Sequence, residues 1–147
     1  MTDATFTGIH HIKLPVSDLV RSREWYERVL GLQVQFEFPD DDGVVRGLGG
    51  ELPGVGVGVA LRENVQAAAG NAGFDPVSFA IADHAAADAW AARFDDLGVA
   101  HSGVLSGTMG WVVDVHDPDG LTIRLYSTAQ DATDHTNEPG YAQLVDP

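Results

Sequence analysis

Apolar and polar residues alternate in short runs along this chain, and each run gives way to a helical spacing. Ile12, Leu14 and Val16 recur at every second position with His11, Lys13 and Pro15 between them, so residues 9–16 read as a strand with two unlike faces. Ser17 or Asp18 then caps a helix. In it Leu19, Ser22, Tyr26, Val29 and Leu30 share one face, the charged residues lie mostly outside, and Gly31 is the stop. Strands are predicted next at 33–38, 44–48 and 55–62, the first with Val34, Phe36 and Phe38 on one side and a turn after it at 39–43. Gly54, Gly56 and Gly58 weaken the third; glycines in strands often mark bulges or a close backbone approach. Residues 63–74, small and polar, read as a linker.

The pattern then starts again. Val77, Phe79 and Ile81 alternate as a strand, Asp83 caps a helix that ends at Gly98, and Trp90, Phe94 and Leu97 form its buried stripe. Strands are expected at 99–105, 111–116 and 121–126, the last two joined by the turn Asp117-Pro118-Asp119-Gly120. Ile12 and Val77, Leu14 and Phe79, Val16 and Ile81, Asp18 and Asp83, and Trp25 and Trp90 are all 65 positions apart. The chain is therefore two copies of one strand-helix-strand-strand-strand unit. The expected layout is a single domain over 1–147, with a first module at about 7–63, a second at about 74–127 and a loose polar tail at 128–147.

Charge and composition narrow the function. Eight Lys and Arg against 22 Asp and Glu give a net charge of −14, which argues against nucleic acid, whose phosphates need clustered cations. No apolar run approaches the ~20 residues of a membrane span, and the first residues lack the pattern of a signal peptide. The absence of cysteine excludes disulfides, thiolate metal sites and thiol nucleophiles. A cytoplasmic location is the expectation.

The tandem units, together with His11 to Asp18, Trp25-Tyr26, Leu30-Gly31 and the closing Asp117 to Gly120 before Ile123-Arg124-Leu125, resemble the vicinal oxygen chelate superfamily of glyoxalases, bleomycin resistance proteins and extradiol dioxygenases. The resemblance covers roughly residues 7 to 127. It implies an α+β fold in which two βαβββ modules form a cup-shaped curved mixed sheet with helices outside. It also implies a homodimer.

In that superfamily a divalent metal sits in the cup, held by His, Glu and sometimes Gln from the first and last strands of each unit. The matching positions here are His11, Ala60, Pro76 and Arg124, of which His11 alone offers a lone pair. One imidazole cannot hold an ion that takes three or four ligands, so no metal and no other cofactor is expected.

If the turn at 117–120 closes a hairpin, Asp114 falls opposite Arg124, His116 opposite Thr122, and Val112 opposite Tyr126. Arg124 then takes the old metal position with a carboxylate beside it. Two readings follow: an ion pair that plugs the vacated site, or an anion clamp for a ligand carboxylate or phosphate. Lys13 and His11 alternate onto one strand face and add to the second reading. Trp111, Tyr126 and Phe36 are the aromatic candidates for pocket walls, and Arg46 and Arg62 are candidates for its rim. The candidate ligand-binding set is thus His11, Lys13, Trp111, Asp114, Arg124 and Tyr126.

Three functions compete. One is a metal-free binder of a small organic molecule, an anion among the candidates. Another is an enzyme of the superfamily (lyase, isomerase or dioxygenase), acting through a metal placed elsewhere or through His11 and Asp114 as acid and base. The third is a structural dimer module with a vestigial cup. Nothing in the residues names the ligand.

Overall fold

The computed structural model describes residues 3–130, 133 and 135–145. The chain divides into two compact units, 1–70 and 71–147.

In the first unit, β1 (His11–Val16) leads through the Asp18 cap into α1 (Leu19–Trp25), followed by a π-helical stretch Tyr26–Leu30. Asp18 accepts a hydrogen bond from the Arg21 amide at 3.0 Å, and Glu63 accepts one from the Leu19 amide at 3.2 Å, so two donors of the first turn are satisfied. Gly31 closes the helix at φ 80, where a side chain would be strained. All five residues expected to face inward, Leu19, Ser22, Tyr26, Val29 and Leu30, are buried.

Strands β2 (Gln33–Pro39), β3 (Val45–Glu51) and β4 (Gly58–Glu63) complete a mixed sheet of order β1-β4-β3-β2. Leu14, Val16, Leu48, Val59 and Leu61 bury one face of it. Full burial of such a side chain contributes about 1.5–3 kcal/mol. The expected common face for Val34, Phe36 and Phe38 does not form. Val34 pairs with Gly50 and Phe36 with Gly49, so Gln35 is an extra residue in a β-bulge that turns the two phenylalanines to the opposite face. Gly50 permits this crossing, because a Cβ there would overlap the carbonyl oxygen of Gln33.

The stretch expected to be a linker contains a helix, α2 (Val65–Asn71). Asn64 supplies its cap, accepting from the Ala67 amide at 2.9 Å, and three consecutive alanines have the best helix propensity of any residue. Small side chains here favour helix rather than a loose linker.

The second unit repeats the plan: β5 (Ser78–Ile81), α3 (His84–Asp96), β6 (Leu105–Ser106), β7 (Gly110–His116) and β8 (Thr122–Gln130), in order β5-β8-β7-β6. Asp83 caps α3, accepting from the Ala86 amide at 2.9 Å. Phe94 is fully buried, and Trp90 and Leu97 are half-buried. Asp117 Oδ1 accepts from the amides of Asp119 and Leu121, which makes the closing turn. That turn sets the predicted register: Asp114 pairs with Arg124, His116 with Thr122, and Val112 with Tyr126.

Two differences stand out. Of the strand expected at 99–105, an isolated bridge from His101 to Val115 and the short β6 remain. The backbone turns at Gly103 (φ 74), and His101 binds Asp95 and the Gly103 amide with its ring. At the other end β8 runs on to Gln130, beyond the expected Tyr126, because it pairs in parallel with β5 and the Ala129 amide donates to Ala82. Further on, the tail is not loose throughout: the His135 amide donates to Thr108, the His135 ring stacks on Tyr141 at 4.3 Å, and its Nε2 meets the Ser106 hydroxyl at 3.0 Å.

Each unit is thus a βαβββ module, and the fold is α+β with two four-stranded mixed sheets.

Candidate functional site

The two sheets present equivalent positions of very different size. In the first unit Lys13 pairs with Ala60 and Ala60 with Gly49; in the second Ser78 pairs with Arg124 and Arg124 with Asp114. Two residues further along, on the same face, Arg62 pairs with Gly47 where Tyr126 pairs with Val112.

In the first unit the small residues leave a hollow of about 640 Å³ over the face opposite the buried leucines and valines. Its floor is Gly47, Gly49, Gly58 and Ala60. Phe36 and Phe38 form a wall on β2, and both rings lean toward Gly49: a Cβ built there would lie 3.7 Å from Phe38 and 3.9 Å from Phe36. Phe36 and Phe38 are 61% and 51% exposed as residues, more than the interior of a folded chain usually leaves to large apolar side chains. Lys13 and His11 stand on the other side, on β1. Arg62 lies across Gly47, where a Cβ would meet its Nη1 at 3.1 Å. His10 and His11 touch through their Nδ1 atoms at 2.9 Å, so one ring donates to the other. Glu51 lines the end of the hollow nearest His11, through the register Glu51–Gly58–His11.

In the second unit the corresponding face is filled. Arg124 donates from Nε to Asp114 Oδ1 and from Nη2 to Asp114 Oδ2, both at 2.9 Å, and its Nη1 lies 3.2 Å from Asp75 Oδ2. The Asp114 hydrogen bonds hold the guanidinium above its ordinary pKa, against the opposing effect of burial. One cation between two carboxylates leaves a local charge of −1, which repels an incoming anion. Tyr126 packs against the loop before β7, where a Cβ on Gly107 would meet its hydroxyl at 2.5 Å. Trp111 is turned toward the helix and packs edge-on against His84, with ring centroids 4.3 Å apart.

The six candidate residues therefore fall into three groups. His11 and Lys13 line the hollow of the first unit. Asp114, Arg124 and Tyr126 share the packed face of the second, and Trp111 lies apart from them on its helix side. Phe36 and Arg62 also line the hollow, whereas Arg46 is taken up by Asp40 and Glu63. Sequence reasoning missed Asp75, and it missed the floor. The signal for the floor was present: Gly47 and Gly49, then Gly58 and Ala60, are small residues two apart on neighbouring strands.

The donor set does not fit a divalent metal. His11 pairs with Gly58, Lys13 with Ala60, and Arg124 with Ser78, and among the described residues no three His, Asp or Glu side chains cluster as ligands.

The sequence matches the Glyoxalase/Bleomycin resistance protein/Dioxygenase superfamily over residues 8–125. The chain belongs to that superfamily. Its fold is similar to that of a glyoxylase/bleomycin resistance protein/dioxygenase domain from Frankia sp. EAN1pec, with TM-score 0.67, 23% identity, and 89% of this chain and 98% of the other covered. It is also similar to TnmS3, an antibiotic-binding protein from Streptomyces sp. CB03234, with TM-score 0.65, 21% identity, and 85% and 98% covered. A third likeness is the fosfomycin resistance protein FosX from Listeria monocytogenes, with TM-score 0.64, 15% identity, and 85% and 96% covered. At these identities the likeness is one of fold. No curated protein matches the chain. Within the superfamily frame, the hollow of the first unit and the plugged face of the second are features of this chain's own residues.

Proposed function

We propose that this superfamily member binds a small organic molecule in the hollow of its first unit, without a metal, and that Arg124 and Asp114 serve as a structural pair. The observation that carries the reading is the floor of Gly47, Gly49, Gly58 and Ala60 beneath two exposed phenylalanines, where the second unit has Val112, Asp114 and Arg124. A volume near 640 Å³ lies within the range of small-molecule sites, about 300–1,000 Å³. Structural neighbours named as antibiotic-binding and fosfomycin resistance proteins favour a binder over an inert module. The enzyme reading through His11 and Asp114 has less support, because both Asp114 oxygens already accept from Arg124.

The test is a melting-temperature screen of drug-sized aromatic compounds against the wild-type protein and Ala60→Leu, which fills the floor. A compound present at a hundred times its Kd stabilises by about 2.7 kcal/mol. Stabilising compounds should lose their effect in the variant. Equal stabilisation of both proteins would place binding elsewhere.

We further propose a homodimer in the cytoplasm. Phe6 and Ile9, ahead of β1, are exposed, and β1 and β2 are open sheet edges that a second copy can cover. A chain without cysteine needs no oxidising compartment. Among the described residues no helix is long and apolar enough to cross a membrane. Sedimentation should give twice the 15.6 kDa chain mass at micromolar concentration; a single-chain mass would contradict the dimer.

A further inference from the structure

We infer that the ligand of the first unit is an aromatic anion, held with its charged group against Lys13 and Arg62 and its ring system against Phe36 and Phe38. This rests on the hollow being the binding site. Its basis is the distribution of charge across one sheet face. Along one row run Lys13, Ala60, Gly49 and Phe36; along the next run Pro15, Arg62, Gly47 and Phe38. Each row joins a cation to an aromatic ring, over Ala60 and Gly49 in the first and over Gly47 in the second.

Among the described residues, no carboxylate competes with a ligand for these two cations. Arg23 and Arg46 in the same unit each hold two carboxylates, whereas among the described residues no ion pair forms at Lys13 or Arg62. In a chain with a net charge of −14, two uncommitted cations on one concave face are an exception to the general surface. The acid that lines the hollow, Glu51, belongs to the row of His11 and Gly58, next to that of Lys13 and two from that of Arg62. A guanidinium offers paired donors to the two oxygens of a carboxylate or sulfonate, and an ammonium adds a point charge.

Size fits as well. The outer strands β1 and β2 are three strand spacings apart, roughly 14 Å. The two small residues between Lys13 and Phe36 leave room for a body of two fused rings. Phenyl rings that lean over glycine accept such a body by offset or edge-on stacking.

The experiment uses two probes of the same framework: 8-anilinonaphthalene-1-sulfonate, and N-phenyl-1-naphthylamine, which lacks the sulfonate. Both are titrated by fluorescence against the wild type, Lys13→Met, Arg62→Met and Ala60→Leu, with thermal melts to establish folding. The sulfonate should bind about tenfold more tightly than the neutral probe, the scale of one charged hydrogen bond. Each Met variant should lose most of that preference and leave the neutral probe unchanged. Equal binding of the two probes, or Met variants that leave the sulfonate unaffected, would overturn the anion assignment. If Ala60→Leu still abolishes binding of both probes in that case, the hollow stands as the site and only the ligand class fails. If Ala60→Leu leaves both unchanged, the hollow itself fails, and the assignment with it.

Discussion

Asp114 and Arg124 face each other across the last hairpin with both carboxylate oxygens hydrogen-bonded to the guanidinium at 2.9 Å. Asp75 takes the remaining side. Removing the cation leaves two carboxylates facing one another. Arg124→Ala should therefore destabilise the protein by about 1.5–3 kcal/mol, and Asp114→Ala somewhat less, since Asp75 still holds the arginine. At roughly 3 °C per kcal/mol the Arg124→Ala melting temperature falls by roughly 5–9 °C. Probe affinity in the first unit should not change. A variant that melts normally and loses its ligand would restore Arg124 as an anion clamp.

The β-bulge at Gln35 depends on Gly50. Gly50→Ala forces a methyl group into the Gln33 carbonyl and should cost at least about 1–3 kcal/mol, as overpacking does. Gly58→Ala is the control: its added Cβ would lie 3.6 Å from that of His11, an ordinary contact, and the stability should change little. Urea unfolding of the two variants checks the difference, and equal midpoints would contradict it.

These two sites also show what the sequence could reveal. The pairing of Asp114 with Arg124 was legible because an Asp-Pro-Asp-Gly turn fixes the hairpin register, and register fixes which residues meet. The repeat was legible because the 65-residue offset preserved strand and cap together. The hollow was not. The bulge at Gln35 reverses the face of Phe36 and Phe38, and a bulge leaves no mark on a period-two pattern until the partner strand is known. Gly58, one of the floor glycines, lowers strand propensity together with Gly54 and Gly56, so it reads as weakness in β4 rather than as space. Asp75 precedes its strand and pairs with Arg124 only through tertiary placement.

Asp40 gives a pH-dependent prediction. The Arg46 guanidinium, then the Val44 amide, hold its carboxyl below the ordinary carboxylate value, with the Asp42 amide adding to them. A depressed folded-state pKa contributes stability above the unfolded value, near 3.8, that is lost as pH falls through the lower folded value. Asp40→Asn should melt below the wild type at pH 7, and the gap should close in strong acid. A gap of constant size from pH 7 to pH 2 would show that the charge contributes nothing.

The helix at 65–71 depends on its cap. Asn64→Ala removes the acceptor for the Ala67 amide and should cost about 1 kcal/mol. Faster amide exchange confined to 65–71 is the expected signature; unchanged protection there would contradict the cap.

We place the ligand site on the hollowed sheet of the first unit. Amide chemical-shift mapping during a titration with 8-anilinonaphthalene-1-sulfonate tests it most directly. Saturating shifts should gather at 11–13, 47–50 and 58–62. Shifts centred instead on 112–114 and 122–126 would contradict it and return the site to Arg124.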